Sequence, residues 1–154
     1  MGLDMYLEAR RHVSKYGDDD KATGEKVRNI FPELDETMPV TGVNVEIGYW
    51  RKANQIHKWF VDNVQNGIDE CQSSYVEMDQ LRQLRETILE VLSTRDAATA
   101  ERLLPSQAGF FFGGTEYDEY YFQDLEHTLD VIARAEKLSE QPGVYWDFYY
   151  QSSW

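Results

Sequence analysis

Apolar and polar residues alternate over residues 3–9, with Leu3, Met5 and Leu7 pointing one way and Asp4, Tyr6 and Glu8 the other, which predicts a half-buried strand. Alternation returns at Val43, Val45, Ile47 and Tyr49, a second strand that runs into Trp50. The period then lengthens to that of a helix. Ala53, Ile56, Phe60 and Val64 fall on one face, Trp59 and Val61 widen it, and Gly67 stands where a helix C-cap is favoured. Leu81, Leu84, Ile88, Val91 and Leu92 predict a further helix with Asp79 as its N-cap, and Asp96 opens a short one over 97–103 that Pro105 stops. A last long helix begins at Thr115 or Asp118, with Phe122, Leu125, Leu129, Ile132 and Ala133 inward. Beyond the Pro142-Gly143 turn, Val144, Trp146, Phe148 and Tyr150 alternate with Tyr145, Asp147 and Tyr149, a terminal strand with large residues on both faces.

Two stretches fit neither period. Residues 17–39 are acidic and carry Gly17, Gly24, Pro32 and Pro39, with only Val27, Ile30, Phe31 and Leu34 as anchors, so one short helical turn in a mobile insertion is expected there. Gly109-Phe110-Phe111-Phe112-Gly113-Gly114 reads equally as a short buried strand or a tight loop. Together these elements predict one α+β domain over residues 1–154, a small, mainly antiparallel sheet covered by three to four amphipathic helices.

Composition narrows the function classes. Of the 154 residues 42% are apolar, enough for a core, so general disorder is excluded. No apolar run approaches the roughly 20 residues of a membrane span, and the first residues lack the basic-then-apolar order of a signal peptide, so no membrane and a cytoplasmic location are expected. The net charge of −13 includes −7 on residues 107–154 alone. Such a field repels nucleic-acid backbones and attracts basic partners, so direct nucleic-acid binding is not expected. Cys71 is the single cysteine, which excludes an internal disulfide and a multi-cysteine zinc site.

The short catalytic fingerprints are missing: there is no G-x-x-x-x-G-K-[ST], no G-x-S-x-G and no H-E-x-x-H. His12, His57 and His127 lie far apart in sequence, and neither a metal nor a cofactor is expected. Cys71 sits beside Asp69 and Glu70, surroundings that disfavour a thiolate nucleophile.

Two stretches are dense in chemistry. In Tyr49 to Phe60, a helix starting near Arg51 places Arg51, Asn54 and Lys58 on one face. A solvated helix face explains that pattern; the functional alternative is a ligand site of Trp50, Arg51, Asn54 and His57, with Arg51 fixing an anion and His57 as acid or base. In Gly113 to Tyr121, carboxylates and tyrosines interleave at a helix start, where capping alone accounts for one or two acids. The functional alternative is a partner-binding face of Glu116, Tyr117, Asp118, Glu119, Tyr120 and Asp124, tyrosine rings anchoring and carboxylates selecting Arg or Lys.

MGLDMYL at 1–7, YWRKANQIHKWFV at 49–61 and GFFFGGTEYDEYYFQDL at 109–125 resemble an uncharacterised family of small proteins scattered through bacteriophage and prophage genomes. The resemblance covers about a quarter of the chain and implies a phage accessory protein made in the host bacterial cytoplasm, with no catalytic residues to carry over. Two expectations follow from different classes. The first is an acidic protein that binds and inhibits a basic host protein, a nucleic-acid-handling or defence factor, by presenting carboxylates where phosphates would sit. The second is a small enzyme or ligand-binding protein with a site between the Arg51–His57 helix and the Glu116–Asp118 loop. A cleft where the two dense stretches meet favours the second; a flat acidic surface with the helix residues scattered favours the first.

Overall fold

The structure, a computed structural model, describes residues 2–154. Four strands, β1 (Asp4–His12), β2 (Gly42–Arg51), β3 (Ser74–Val76) and β4 (Asp147–Ser153), form one antiparallel sheet in the order β2-β1-β4-β3. The helices are α1 (Asp18–Ile30), α2 (Asn54–Asn63), α3 (Met78–Thr94), α4 (Ala97–Leu103) and α5 (Glu119–Ser139). The α+β expectation therefore stands. Met5, Leu7 and Ala9 of β1, Trp50 of β2 and Phe148 and Tyr150 of β4 bury one face of the sheet in the core that the inner faces of α2, α3 and α5 complete. Phe60 of α2 stacks on Tyr150 at 4.0 Å between ring centres, so helix and sheet meet through aromatic faces.

The second strand departs from simple alternation. The register between β1 and β2 shifts between Leu7 and Glu8, which pair with Gly48 and Glu46 and leave Ile47 as the extra residue of a bulge. Val43, Val45, Ile47 and Tyr49 consequently do not share a buried face: Ile47 and Trp50 are buried, while Tyr49 and Val45 are exposed. Gly48 lets α5 approach, because a Cβ there would stand 2.4 Å from Cγ1 of Val131.

Four further expectations need correction. Residues 17–39 hold the 13-residue helix α1 rather than a single turn. Only Gly24 of α1 is buried, so the helix carries no apolar stripe for a pattern search to find. Asp20 ties it to β1 by accepting from the Ser14 amide at 2.8 Å and the Arg11 guanidinium at 2.9 Å. Helix α3 is capped by Glu77, not Asp79, through a capping box with Gln80. Ala133 is exposed, and Val131 and Ala135 fill the inner face of α5 instead. The predicted C-cap at Gly67 lies a few residues past the end of α2, at φ +75° in the turn that follows.

Candidate functional site

The corner between β2 and α2 is sharp because Lys52 takes a left-handed conformation at φ +63°. Its amide donates to the Leu3 carbonyl at 2.8 Å and its own carbonyl accepts from the Asn54 amide at 2.9 Å. Against this corner lies the Gly109–Gly114 segment, a turn and not a strand. Gly113, at φ +87°, brings it so close that a Cβ there would stand 3.0 Å from Cβ of Lys52.

Asn54 fastens the two together. Its Nδ2 donates to the carbonyls of Phe112 at 3.0 Å and Gly114 at 2.8 Å, and its Oδ1 accepts from the Gln107 amide at 2.9 Å. The Phe111 carbonyl adds a bond from the Leu3 amide. Every hydrogen-bonding direction of the Asn54 amide except one oxygen lone pair is consumed in holding the loop. The side chain is 2% exposed and works as a clamp.

Beyond the loop, Asp118 caps α5 by accepting from the Tyr121 amide at 3.1 Å. That helix start and the β2–α2 corner enclose a cleft of about 440 Å³. Arg51, Lys52, Asn54 and Gln55 line one side, and Glu116, Asp118, Tyr120 and Asp124 line the other. Lys52 has no carboxylate partner among the described residues, whereas the Arg51 side chain reaches the Tyr49 hydroxyl, which in turn donates to Asp4. Gln55, 2% exposed, donates its amide nitrogen to Asp124 at 3.2 Å and to the Tyr121 carbonyl at 3.5 Å. Burial pushes the Asp124 carboxyl above the usual aspartate range, and the Gln55 bond pulls part of the way back.

The two dense stretches therefore converge, though not with all the residues the sequence singled out. Glu116, Asp118, Tyr120 and Asp124 face the cleft. Tyr117 does not: its hydroxyl accepts from the Ser106 amide at 3.3 Å and its ring packs edge-on against Tyr121. Glu119 turns away to Arg95 at 3.1 Å, and Arg95 also pairs with Glu126 and lies over the Phe122 ring.

Of the four residues singled out on the other stretch only Arg51 and Asn54 reach the cleft, and Asn54 is committed to the loop. Lys58 pairs with Asp62, so it shares no working face with them. Trp50 is buried with its indole N–H on Thr128 at 2.9 Å. His57 is fully buried on the core side of α2. Its Nε2 meets Asp69 at 2.9 Å and its Nδ1 meets the Tyr150 hydroxyl at 2.7 Å. The Asp69 carboxylate takes the Nε2 proton and Nδ1 shares a hydrogen bond with the Tyr150 hydroxyl, so both ring nitrogens are satisfied inside the fold. Trp154 donates its indole N–H to the other oxygen of Asp69 at 3.1 Å.

Residues that the sequence did not single out are Lys52, Gln55 and Ser106. Gln55 carried a signal: a polar residue one position from the apolar Ile56, inside the first turn of a helix whose start is buried. Among the described residues no three His, Cys, Asp or Glu side chains converge as a metal-ligand set, and no helix is long and apolar enough to cross a membrane. No family model, no curated protein and no solved structure matches the chain.

Proposed function

We propose that the protein is a non-catalytic binding protein whose working site is the cleft between the β2–α2 corner and the first turns of α5. The observation that carries this reading is the convergence of the two dense stretches on one concavity lined by cations from the β2–α2 corner and carboxylates from the start of α5. Its volume lies within the range of small-molecule sites. The imidazole that would have served as acid or base is spent in the core, and the Ser106 hydroxyl is sealed from solvent without a partner, which argues for capture rather than turnover. The phage resemblance supports a role in the cytoplasm of an infected bacterium.

The second reading, inhibition of a basic host protein, draws on the cleft's outer rim. Glu116 has no partner among the described residues, and Tyr120 is 76% exposed beside it. An exposed ring next to an unpaired carboxylate suits an Arg or Lys anchor on a partner surface.

Native mass spectrometry separates the two. The protein is equilibrated with the low-molecular-weight filtrate of a bacterial lysate and, separately, with the retained proteins. Small-molecule capture gives a mass increment from the filtrate that Glu116→Lys diminishes. An increment only from the retained fraction, lost in Glu116→Lys with Tyr120→Ala, favours the host-protein reading. No increment from either fraction contradicts both. Glu116 and Tyr120 are chosen because Asp118 caps α5 and Glu119 braces Arg95, so changing those would disturb the fold as well.

A further inference from the structure

The cleft's floor differs in chemistry from its mouth. Gln55 is 2% exposed, its nitrogen is committed to Asp124 and Tyr121, and no donor among the described residues reaches its carbonyl oxygen. That oxygen is not among the sealed, unpaired polar atoms, so it keeps contact with the cleft's solvent. Asp124 spends one carboxylate oxygen on Gln55 and leaves the other open. The floor therefore offers two acceptors side by side, one of them anionic, and its natural complement is a group with several N–H donors and a positive charge.

At the β2–α2 side stand two cations, Lys52 without a carboxylate partner and Arg51 with the Tyr49 hydroxyl, rather than a carboxylate, as its side-chain partner. A polyanion would satisfy them and be repelled by Glu116, Asp118 and Asp124. A simple cation would satisfy the acids and leave the two cations facing it. A molecule with opposite charges at its two ends meets both walls.

Resting on the reading of the cleft as a small-ligand site, we propose that it binds a basic zwitterion of the free amino-acid type. The guanidinium or ammonium end lies on the Gln55 and Asp124 oxygens, and the carboxylate end points toward Arg51 and Lys52. Tyr120 at the rim covers the aliphatic stem between the ends.

Isothermal titration calorimetry with three probes tests this. Free L-arginine is the complete ligand, agmatine lacks its carboxylate, and acetylated arginine amide lacks both backbone charges. Arginine is expected to bind with a Kd of about 1 mM or tighter and agmatine about tenfold more weakly. Asp124→Asn and Gln55→Leu each weaken arginine about tenfold, and Asp124→Asn, close to isosteric, keeps the test valid if Gln55→Leu folds poorly. Arg51→Gln with Lys52→Asn lowers affinity for arginine to that for agmatine and leaves agmatine unchanged; Asn is chosen at 52 because it tolerates the left-handed backbone. Equal binding of all three probes overturns the zwitterion and points to the side-chain recognition a host protein would use. No binding of arginine, with a nucleotide or sugar phosphate bound instead and lost in the Arg51/Lys52 variant, overturns the ligand chemistry but keeps the cleft as a site. No binding by any of these probes overturns the ligand class and removes support for the cleft.

Discussion

The side-chain amide of Asn54 holds the Gly114 carbonyl at 2.8 Å, and through this bond the first residue of α2 fixes one lip of the cleft. Two companion bonds, to Phe112 and from Gln107, are lost with the same side chain. Asn54→Ala is expected to cost about 3 kcal/mol, because it strands buried backbone groups as well as removing bonds. Urea unfolding measures the cost, and amide exchange at Gly113 and Gly114 should quicken by more than the global loss explains. A change within about 0.5 kcal/mol of wild type, the usual span of inert surface substitutions, contradicts the clamp.

His57 is expected to matter for stability and not for ligand capture. His57→Ala removes the hydrogen-bond partner of both Asp69 and Tyr150 and opens a void in the core. The expected loss is roughly 3 kcal/mol, and Tyr150→Phe should lose about 1–2 kcal/mol. Where both proteins remain folded, calorimetric affinities should match wild type. A large affinity loss with unchanged unfolding would place the imidazole in the working site after all.

Much of this framework was legible in the hydrophobic pattern. Strands β1 and β4 and helices α2, α3 and α5 each bury enough side chains to impose a period, while α4, which buries only Ala100, is marked by its cap at Asp96 and the stop at Pro105. Strand β3 spans three residues and α1 buries only Gly24, so neither leaves a periodic trace. The site was legible as density but not as geometry. Periodicity assumed that a helix began near Arg51, whereas Arg51 ends a strand and Lys52 turns the chain through a left-handed residue. That corner rotates Asn54 toward the loop and His57 into the core and leaves Gln55 at the cleft. Nothing short of the tertiary fold determines which of Asn54, Gln55 and His57 faces the cleft with an acceptor to spare.

Asp124 gives a pH signature. Burial raises its folded-state pKa above the ordinary 3.8, so its ionisation opposes folding. Stability from the protonated form is fully present below 3.8 and lost as pH rises through the raised value. Asp124→Asn should therefore be more stable than wild type at neutral pH, with the two converging as pH falls below that ordinary value. Paired urea titrations across the acid range measure the difference. A wild-type protein more stable than the variant at neutral pH would mean that Asp124 is stabilised as the anion.

Residues 31–41 join α1 to β2, and most of their side chains are exposed. Limited proteolysis should cut there first and leave a folded remainder, since α1 adds little to the core. First cuts inside α5 or the Gly109–Gly114 turn would show that the excursion is held more firmly than the cleft.

The cleft as the working site is tested most directly by mapping amide shifts in the isotope-labelled protein during an L-arginine titration. Saturable shifts should concentrate at Lys52 to Gln55, at Ser106 and from Gly113 to Asp124, with Gln55 side-chain signals among the largest. Shifts centred instead on the tyrosines of the opposite sheet face, Tyr6, Tyr49, Tyr75 and Tyr149, or no saturable shifts at all, would contradict it.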